Sequence, residues 1–290
     1  MVEPVLYVIH QGYGNNGQLW YNKFSNNVWS QDTLVPNTGT SAGPSAVFHG
    51  GLIYAFHQGY GNNGQLWYNR FNGSNWANDI QVPNTGMTAS PSAVVFRGKI
   101  YVFHQGSNAD GTLWYNVFDG FSWAGDKLVP NTGMSSNPSA VVYNNNIYLF
   151  HQGYGDNGEL WYNVFNGASW AGDIKVNNVG ISAGPSAVVY QDKIFIFHQG
   201  YGNNGQLWFS TYNGSGFTKD TLVTNVGITD SPGAVFYEGQ LLVLHQGASA
   251  NGELWLDSFS TFGGDAQVPK TGMSACPGPV VAAFPPLDPA

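Results

Sequence analysis

Charge is scarce in this 290-residue chain: Asp, Glu, Lys and Arg together make up 9% of it, and the net charge is −8. The nine Lys and Arg residues are scattered singly. Nucleic-acid binding needs a basic stripe to neutralise phosphates, so DNA and RNA are not expected partners, and an anionic membrane surface is disfavoured for the same reason. Long apolar runs are missing as well, and none approaches the ~18–20 residues that a membrane helix requires. Cys276 is the single cysteine, which rules out an intramolecular disulfide; a large core needs no such staple. No helical period is visible anywhere. The chain opens Met1-Val2-Glu3-Pro4 and enters its first repeat without a signal-peptide pattern; the expectation is a cytoplasmic protein, or one secreted by a route not visible here. Disorder does not fit, because Trp (10), Tyr (16) and Phe (18) are too abundant for a chain that buries nothing.

What the chain does have is repetition. His10-Gln11-Gly12, a polar turn and Leu19-Trp20 recur from His57, His104, His151, His198 and His245, a constant step of 47 residues. Trp67, Trp114, Trp161, Trp208 and Trp255 keep the same step. A period of this size marks one supersecondary unit copied in a ring or stack. In the second copy, Pro44–Phe48 is an apolar run closed by Gly50-Gly51, and Leu52–His57 is a second run rich in β-formers. Leu66–Phe71 is a third, Asn72-Gly73 is a strong hairpin signal, and Trp76–Val82 is a fourth, followed by a loop over residues 83–88.

Four strands per copy of this length is the blade of a β-propeller. The expected fold is therefore all-β: a six-bladed β-propeller with four antiparallel strands per blade, filling residues 1–290 as a single domain of six 47-residue repeats. The chain begins in a second strand (Val5–His10) and ends with a first strand (Pro279–Phe284). Pairing of these two would close the ring and remove its open edges. First strands carry small residues, such as Ser45-Ala46-Val47, as strands near a crowded axis should. The last hairpin, Phe259-Ser260-Thr261-Phe262, is two residues shorter than its counterparts.

In such a blade the turn after strand two and the loop after strand four open on one face. That rim gathers His10, Gln11, Tyr13 and Trp20; His57, Gln58, Tyr60 and Trp67; and His104, Gln105 and Trp114. It also gathers His151, Gln152, Tyr154 and Trp161; His198, Gln199, Tyr201 and Trp208; and His245, Gln246 and Trp255. Aromatic faces pack on C–H groups and fixed amides bond hydroxyls, a chemistry suited to neutral sugars. Two readings of His-Gln stand side by side: ligand contacts, or buried groups bonded to neighbouring loops. Tyr13, Tyr60, Tyr154 and Tyr201 occupy exposed turns where an aromatic has no folding task, while Ser107 and Ala248 stand at the equivalent places. Sites in those two copies are expected to be weaker or absent. The recurrent Asp32, Asp79, Asp126, Asp173, Asp220 and Asp265 read as turn caps. The second aromatic, Trp29, Trp76, Trp123, Trp170, Phe217 and Phe262, reads as packing. No metal and no cofactor is expected, since no copy clusters oxygen ligands.

Asp156-Asn157-Gly158-Glu159-Leu160-Trp161 resembles the Asp-box turn of sialidases and related propellers. As a whole the chain is similar to repeat-built β-propeller lectins: the tachylectin-2, Aleuria fucose-lectin and Photorhabdus types. That resemblance implies multivalent binding of glycans at repeated inter-blade pockets, and no enzymatic activity. The match is in layout: the Aleuria type uses an Arg-Glu pair per site, whereas Arg70 and Arg97 here occupy non-equivalent positions. A protein-interaction platform and a sialidase-like glycoside hydrolase are the alternatives. Against the hydrolase, sialidases use three arginines and glycosidases need two carboxylates at one unique site.

Overall fold

A computed structural model of the chain describes residues 3–259 and 265–284; all of the shortened last hairpin but Phe259, Phe262 included, lies outside them. The described strands fall into six antiparallel units. β1 (Val5–Gln11), β2 (Gln18–Ser25), the short β3 (Val28–Trp29) and β4 (Thr33–Gly39) make the first, and β5 (Ser45–His49), β6 (Leu52–Gln58), β7 (Gln65–Phe71) and β8 (Ile80–Gly86) the second. β9 (Thr88–Phe96), β10 (Lys99–Gln105), β11 (Thr112–Phe118) and β12 (Lys127–Gly133) form the third. The fourth contains β13 (Ser139–Tyr143), β14 (Asn146–Gln152), β15 (Glu159–Phe165) and β16 (Ile174–Gly180). β17 (Ser186–Tyr190), β18 (Lys193–Gln199), β19 (Gln206–Tyr212) and the first half of β20 (Thr221–Tyr237) make the fifth. The rest of β20, with β21 (Gln240–Gly247), β22 (Glu253–Ser258) and β23 (Ala266–Gly272), makes the sixth. β24 (Gly278–Ala282) pairs antiparallel with β1, Val5 opposite Ala282 and Ile9 opposite Gly278.

Each unit is buried on both faces, which explains why its inner strands are bulky throughout rather than alternating apolar and polar. Along β6, Ile53 and Ala55 join a cluster with Tyr7, Ile9 and Leu19, while Tyr54 and Phe56 join another with Ile100 and Val102. Successive side chains thus pack against opposite neighbours, as the two-residue pleat dictates. Six such clusters occur among the described residues, and one of them packs Leu6 and Val8 against Leu242, Leu244, Leu254 and Val268. Full burial of one such aliphatic or aromatic side chain stabilises by about 1.5–3 kcal/mol.

The innermost strands are joined by a repeated side-chain bond. The Ala93 amide donates to Ser45 Oγ at 2.9 Å, Ala140 to Ser92 Oγ at 2.9 Å, Ala187 to Ser139 Oγ at 2.8 Å and Ala234 to Ser186 Oγ at 2.9 Å. The next step is Pro279, which has no amide hydrogen, and Gly233 stands where the serine would be. A Cβ on Gly233 would lie 2.5 Å from the Pro277 carbonyl oxygen, so close approach of the two strands takes the place of the bond. Residues of all six Pro-Ser-Ala segments, and Cys276, line a central cavity of about 180 Å³.

The fourth strand differs from expectation. It runs Ile80–Gly86 through Pro83, and Trp76 makes only an isolated bridge to Phe71. Tyr68 pairs with Ile80 and Trp67 with Gln81, but Gln65 pairs with Gly86 across a register shift, with Asn84 at φ +53° between them. Proline is tolerated because this outer strand bonds on one side only.

A repeated polar pair of the interior is broken in the last two copies. Asn69, Asn116 and Asn163 donate from Nδ2 to Oγ1 of Thr38, Thr85 and Thr132 at 2.8–3.0 Å. In the later copies these threonines become Val179 and Val226, and the asparagines become Ser210 and Asp257. The Asp257 carboxylate is fully buried without a side-chain partner. Burial, and then the nearby Asp265 carboxylate, push its pKa up to about 6, against a smaller opposing pull from His245 and the Ser258 amide. The folded state therefore holds this proton more tightly than the unfolded chain. The stabilisation is complete below about pH 4 and is lost as pH rises through 6. Thermal melts of Asp257→Asn should show a higher Tm than wild type at pH 7.5 and a flatter dependence between pH 5 and 7.5. The effect is on the order of 3 kcal/mol for a shift of this size. An unchanged pH slope would rule out Asp257 as its source.

Candidate functional site

Each His-Gln pair ends a second strand, and the structure places both side chains inside. The six histidines are fully buried. Nε2 of His10, His57, His104, His198 and His245 lies 3.0 Å from Oδ1 of Asp32, Asp79, Asp126, Asp220 and Asp265, and His151 is 2.9 Å from Asp173. A carboxylate only accepts, so the imidazole donates. Nδ1 faces the carbonyl of the adjoining glutamine at 3.1–3.2 Å in every copy. Gln11, Gln58, Gln105, Gln152, Gln199 and Gln246 are also buried, and each donates from Nε2 to the carbonyl of the residue after the fourth-strand glycine, such as Met87. Of the two readings of His-Gln, this placement fits the second: the histidines have no exposed surface, the glutamines keep only 2–5%, and both fix the rim from behind.

What the histidines fix is a carboxylate. The aspartate side chains keep 13–16% of their surface exposed and reach the rim. These residues do not cap turns, as the sequence suggested; they are held to the histidine about one hairpin away. The signal was present in the sequence as a spacing of 22 residues from His to Asp, changing to 20 only in the last copy.

The four tyrosines are exposed, Tyr13 at 61%, Tyr60 at 67%, Tyr154 at 64% and Tyr201 at 66%. They also have a packing task that the sequence did not reveal. Each ring lies on a turn glycine of the preceding unit: Tyr60 on Gly17, Tyr154 on Gly111, Tyr201 on Gly158 and Tyr13 on Gly252. A Cβ on any of these glycines would sit 2.0–2.1 Å from the ring, and all four have φ between +73° and +79°. One face of the tyrosine thus seals a joint between units, and the remainder stays in solvent.

Trp20, Trp67, Trp114, Trp161, Trp208 and Trp255 lie directly across the hairpin from the histidines. They are partly buried. The indole N–H of Trp114 donates to Thr112 Oγ1 at 2.7 Å and that of Trp161 to Glu159 Oε2 at 3.2 Å. In Trp20, Trp67, Trp208 and Trp255 it is buried with no partner. Glu159 also pairs with Lys175, which holds its carboxyl below the usual range.

Between the third and fourth units these parts line a cleft of about 450 Å³, formed by Asn131, Gly133, Gly153, Tyr154, Asn157, Trp161 and Asp173. It offers two aromatic surfaces, two neutral amides and one oriented carboxylate. Of the residues expected at the rim, tyrosine and tryptophan meet there; Asn131 and Asn157 were not anticipated. Such a set can bond hydroxyls at its polar edge and pack a C–H-rich face against its rings.

The stacking of tyrosine on glycine is testable. Gly205 has φ +71° but no tyrosine above it, its nearest neighbour being the Ile228 carbonyl oxygen at 4.0 Å. Gly205→Ala should cost about 1–2 kcal/mol, the left-handed backbone penalty. Gly158→Ala should cost about 1–3 kcal/mol more, because it displaces Tyr201. Equal costs in urea denaturation would show that the tyrosine contributes nothing to the joint.

No protein-family model matches the sequence, and no curated protein does. Solved structures do share its fold. A variant of the Aleuria aurantia lectin in complex with Fucα1-6GlcNAc is 15% identical with a TM-score of 0.64, covering 88% of this chain and 90% of that one. AofleA from Arthrobotrys oligospora is 15% identical with a TM-score of 0.67, covering 98% and 90%. An α-L-arabinofuranosidase from Clostridium thermocellum is 15% identical with a TM-score of 0.55, covering 79% and 94%. A further Aleuria aurantia lectin structure, at 14% identity and TM-score 0.65, is described as a six-bladed β-propeller. This chain shares with that lectin an all-β fold of four-stranded antiparallel sheets.

Proposed function

We propose that the protein is a multivalent carbohydrate-binding protein that takes neutral sugars at the Tyr-Trp clefts between its blades, with glycans or glycoconjugates as its partners. The observation that carries the reading is the cleft between Tyr154 and Trp161, floored by an aspartate that a buried histidine orients. Tyr13 with Trp20, Tyr60 with Trp67 and Tyr201 with Trp208 repeat the arrangement. A pyranose would pack its C–H face on the rings and donate hydroxyls to Asp173 and its counterparts, with Asn131 and Asn157 at the edge. His and Gln act here as positioning residues.

Support also comes from the fold neighbours whose names record fucose-containing ligands. The specific sugar is not carried over, because no arginine lines the described cleft. The reading treats the chain as one closed ring of six 47-residue repeats. The β1–β24 pairing and the cluster around Leu6, Val8 and Leu244 favour that closure. A ring displays its sites on one face, so single-site affinities of ~mM become useful through simultaneous engagement of a glycan-covered surface.

Haemagglutination and a glycan array test this. Wild type should agglutinate cells and bind a defined set of glycans. A variant combining Tyr13→Ala, Tyr60→Ala, Tyr154→Ala and Tyr201→Ala should lose agglutination while keeping its β-rich circular dichroism. No glycan binding at high protein density would contradict the proposal in favour of a protein-interaction platform. Turnover of a chromogenic glycoside would contradict it in favour of a hydrolase.

A further inference from the structure

Two of the six joints lack the tyrosine, and they are not alike. Ser107 faces Gly86 with its Oγ where a Cβ on that glycine would project, and Gly64 has nothing closer than the Met87 carbonyl oxygen at 3.9 Å. At the other joint Ala248 contributes only its methyl group, and Gly205 is equally uncovered. The space that a phenol ring fills in the tyrosine-bearing joints is open at both. Around Gly205 and Ala248 it widens into a cavity of about 670 Å³ that also touches Asn203, Thr229, Asp230 and Ser249.

Asp230 distinguishes the second joint. Ala42, Ala89, Ser136, Ala183 and Ala275 stand at its place in the other copies. Its Oδ1 accepts from the Ser231 amide at 2.7 Å and from Ser231 Oγ at 3.2 Å, so the carboxylate is fixed in orientation. The segment that carries it lies within β20, where the pairing with β21 shifts register between Thr229 and Gly233, and it is tied down beside the shift: Thr229 Oγ1 donates to the Gly247 carbonyl at 3.0 Å while accepting from the Ala250 amide at 2.9 Å. No cation lines the cavity.

We infer that this joint is a separate saccharide site, in which a pyranose ring takes the place of the missing tyrosine ring over Gly205. Asp230 accepts from its hydroxyls, and Asn203 and Ser249 border it. The inference rests on the carbohydrate-binding reading and adds to it a site of a second kind, which the sequence pattern alone would have scored as the weakest. A six-membered sugar ring is close in size to a phenol ring, and a lone oriented carboxylate among neutral groups selects hydroxyl donors. The joint at Ser107 has the opening but Ala89 in place of the acceptor, so it is the natural control.

Amide NMR during titration with a panel of neutral methyl pyranosides reads the site directly. In wild type the Gly205 and Ala248 amides should shift in a saturable manner. Ala248→Tyr should abolish those shifts while leaving the shifts at Tyr154 and Trp161 in place. Asp230→Ala should weaken binding at this joint by roughly tenfold or more, the loss expected for one hydrogen bond to a charged group. Alanine is accommodated there, since Ala89 holds φ +68° at the equivalent place and Asp230 has the same φ. Ala89→Asp should bring saturable shifts to the Gly64 and Ser107 amides. Shifts at Gly205 that survive both Ala248→Tyr and Asp230→Ala overturn this inference and leave the Tyr-Trp clefts standing. Wild-type protein that binds no pyranoside at any joint overturns both readings.

Discussion

The contact between a buried imidazole and a rim carboxylate is the interaction on which the rest of the site depends. A histidine without exposed surface is costly unless its nitrogens are bonded. Here the cost is offset by an aspartate held by the segment that enters the fourth strand. The same bond that satisfies the core thus fastens the outer edge of the blade to its second strand. It also points a carboxylate at the cleft where the tyrosine and tryptophan meet. Removing either partner would strand the other in a low-dielectric wall, so fold and site share this element.

Much of this was legible in the sequence, because repetition multiplies every signal. The 47-residue step, the Gly50-Gly51 turn with both φ positive, and the bulky inner strands all follow from blades buried on two faces. The fourth strand was misplaced because its decisive feature is a register shift: Pro83 and Asn84 read as loop residues locally, and only the pairing of Gln65 with Gly86 makes them strand. His-Gln was ambiguous for a related reason. Residue type announces a polar group, but whether that group faces ligand or neighbour is set by tertiary contacts that join residues 22 or 29 positions apart. The aspartates were underrated on the same ground. Tyrosine on glycine joins residues of adjacent copies, such as Tyr60 and Gly17, and only the positive φ demanded of Gly17 hinted at it.

The copies diverge in linked pairs. Threonine gives way to valine at 179 and 226, and the facing asparagine gives way to Ser210 and Asp257. Serine gives way to Gly233 next to the amide-less Pro279. Tyrosine is lost at 107 and 248, in the two copies whose preceding loop carries Thr88 or Thr229 instead of serine. Such pairing is what contact between neighbouring blades requires, since a change on one side of a close-packed joint leaves a hole or an unsatisfied group on the other. The result is a near-repeating scaffold with joints of two kinds, sealed by an aromatic ring or left open.

The most direct test is a crystal structure of the protein soaked with the neutral saccharide it binds best. The account predicts a pyranose whose C–H face lies against Tyr154 and Trp161, with a hydroxyl within hydrogen-bond distance of Asp173 and with His151 still bonded behind it. Tyr-Trp clefts that stay empty while saccharide is bound elsewhere, or a saccharide that contacts His151 directly after its bond to Asp173 has broken, would contradict it.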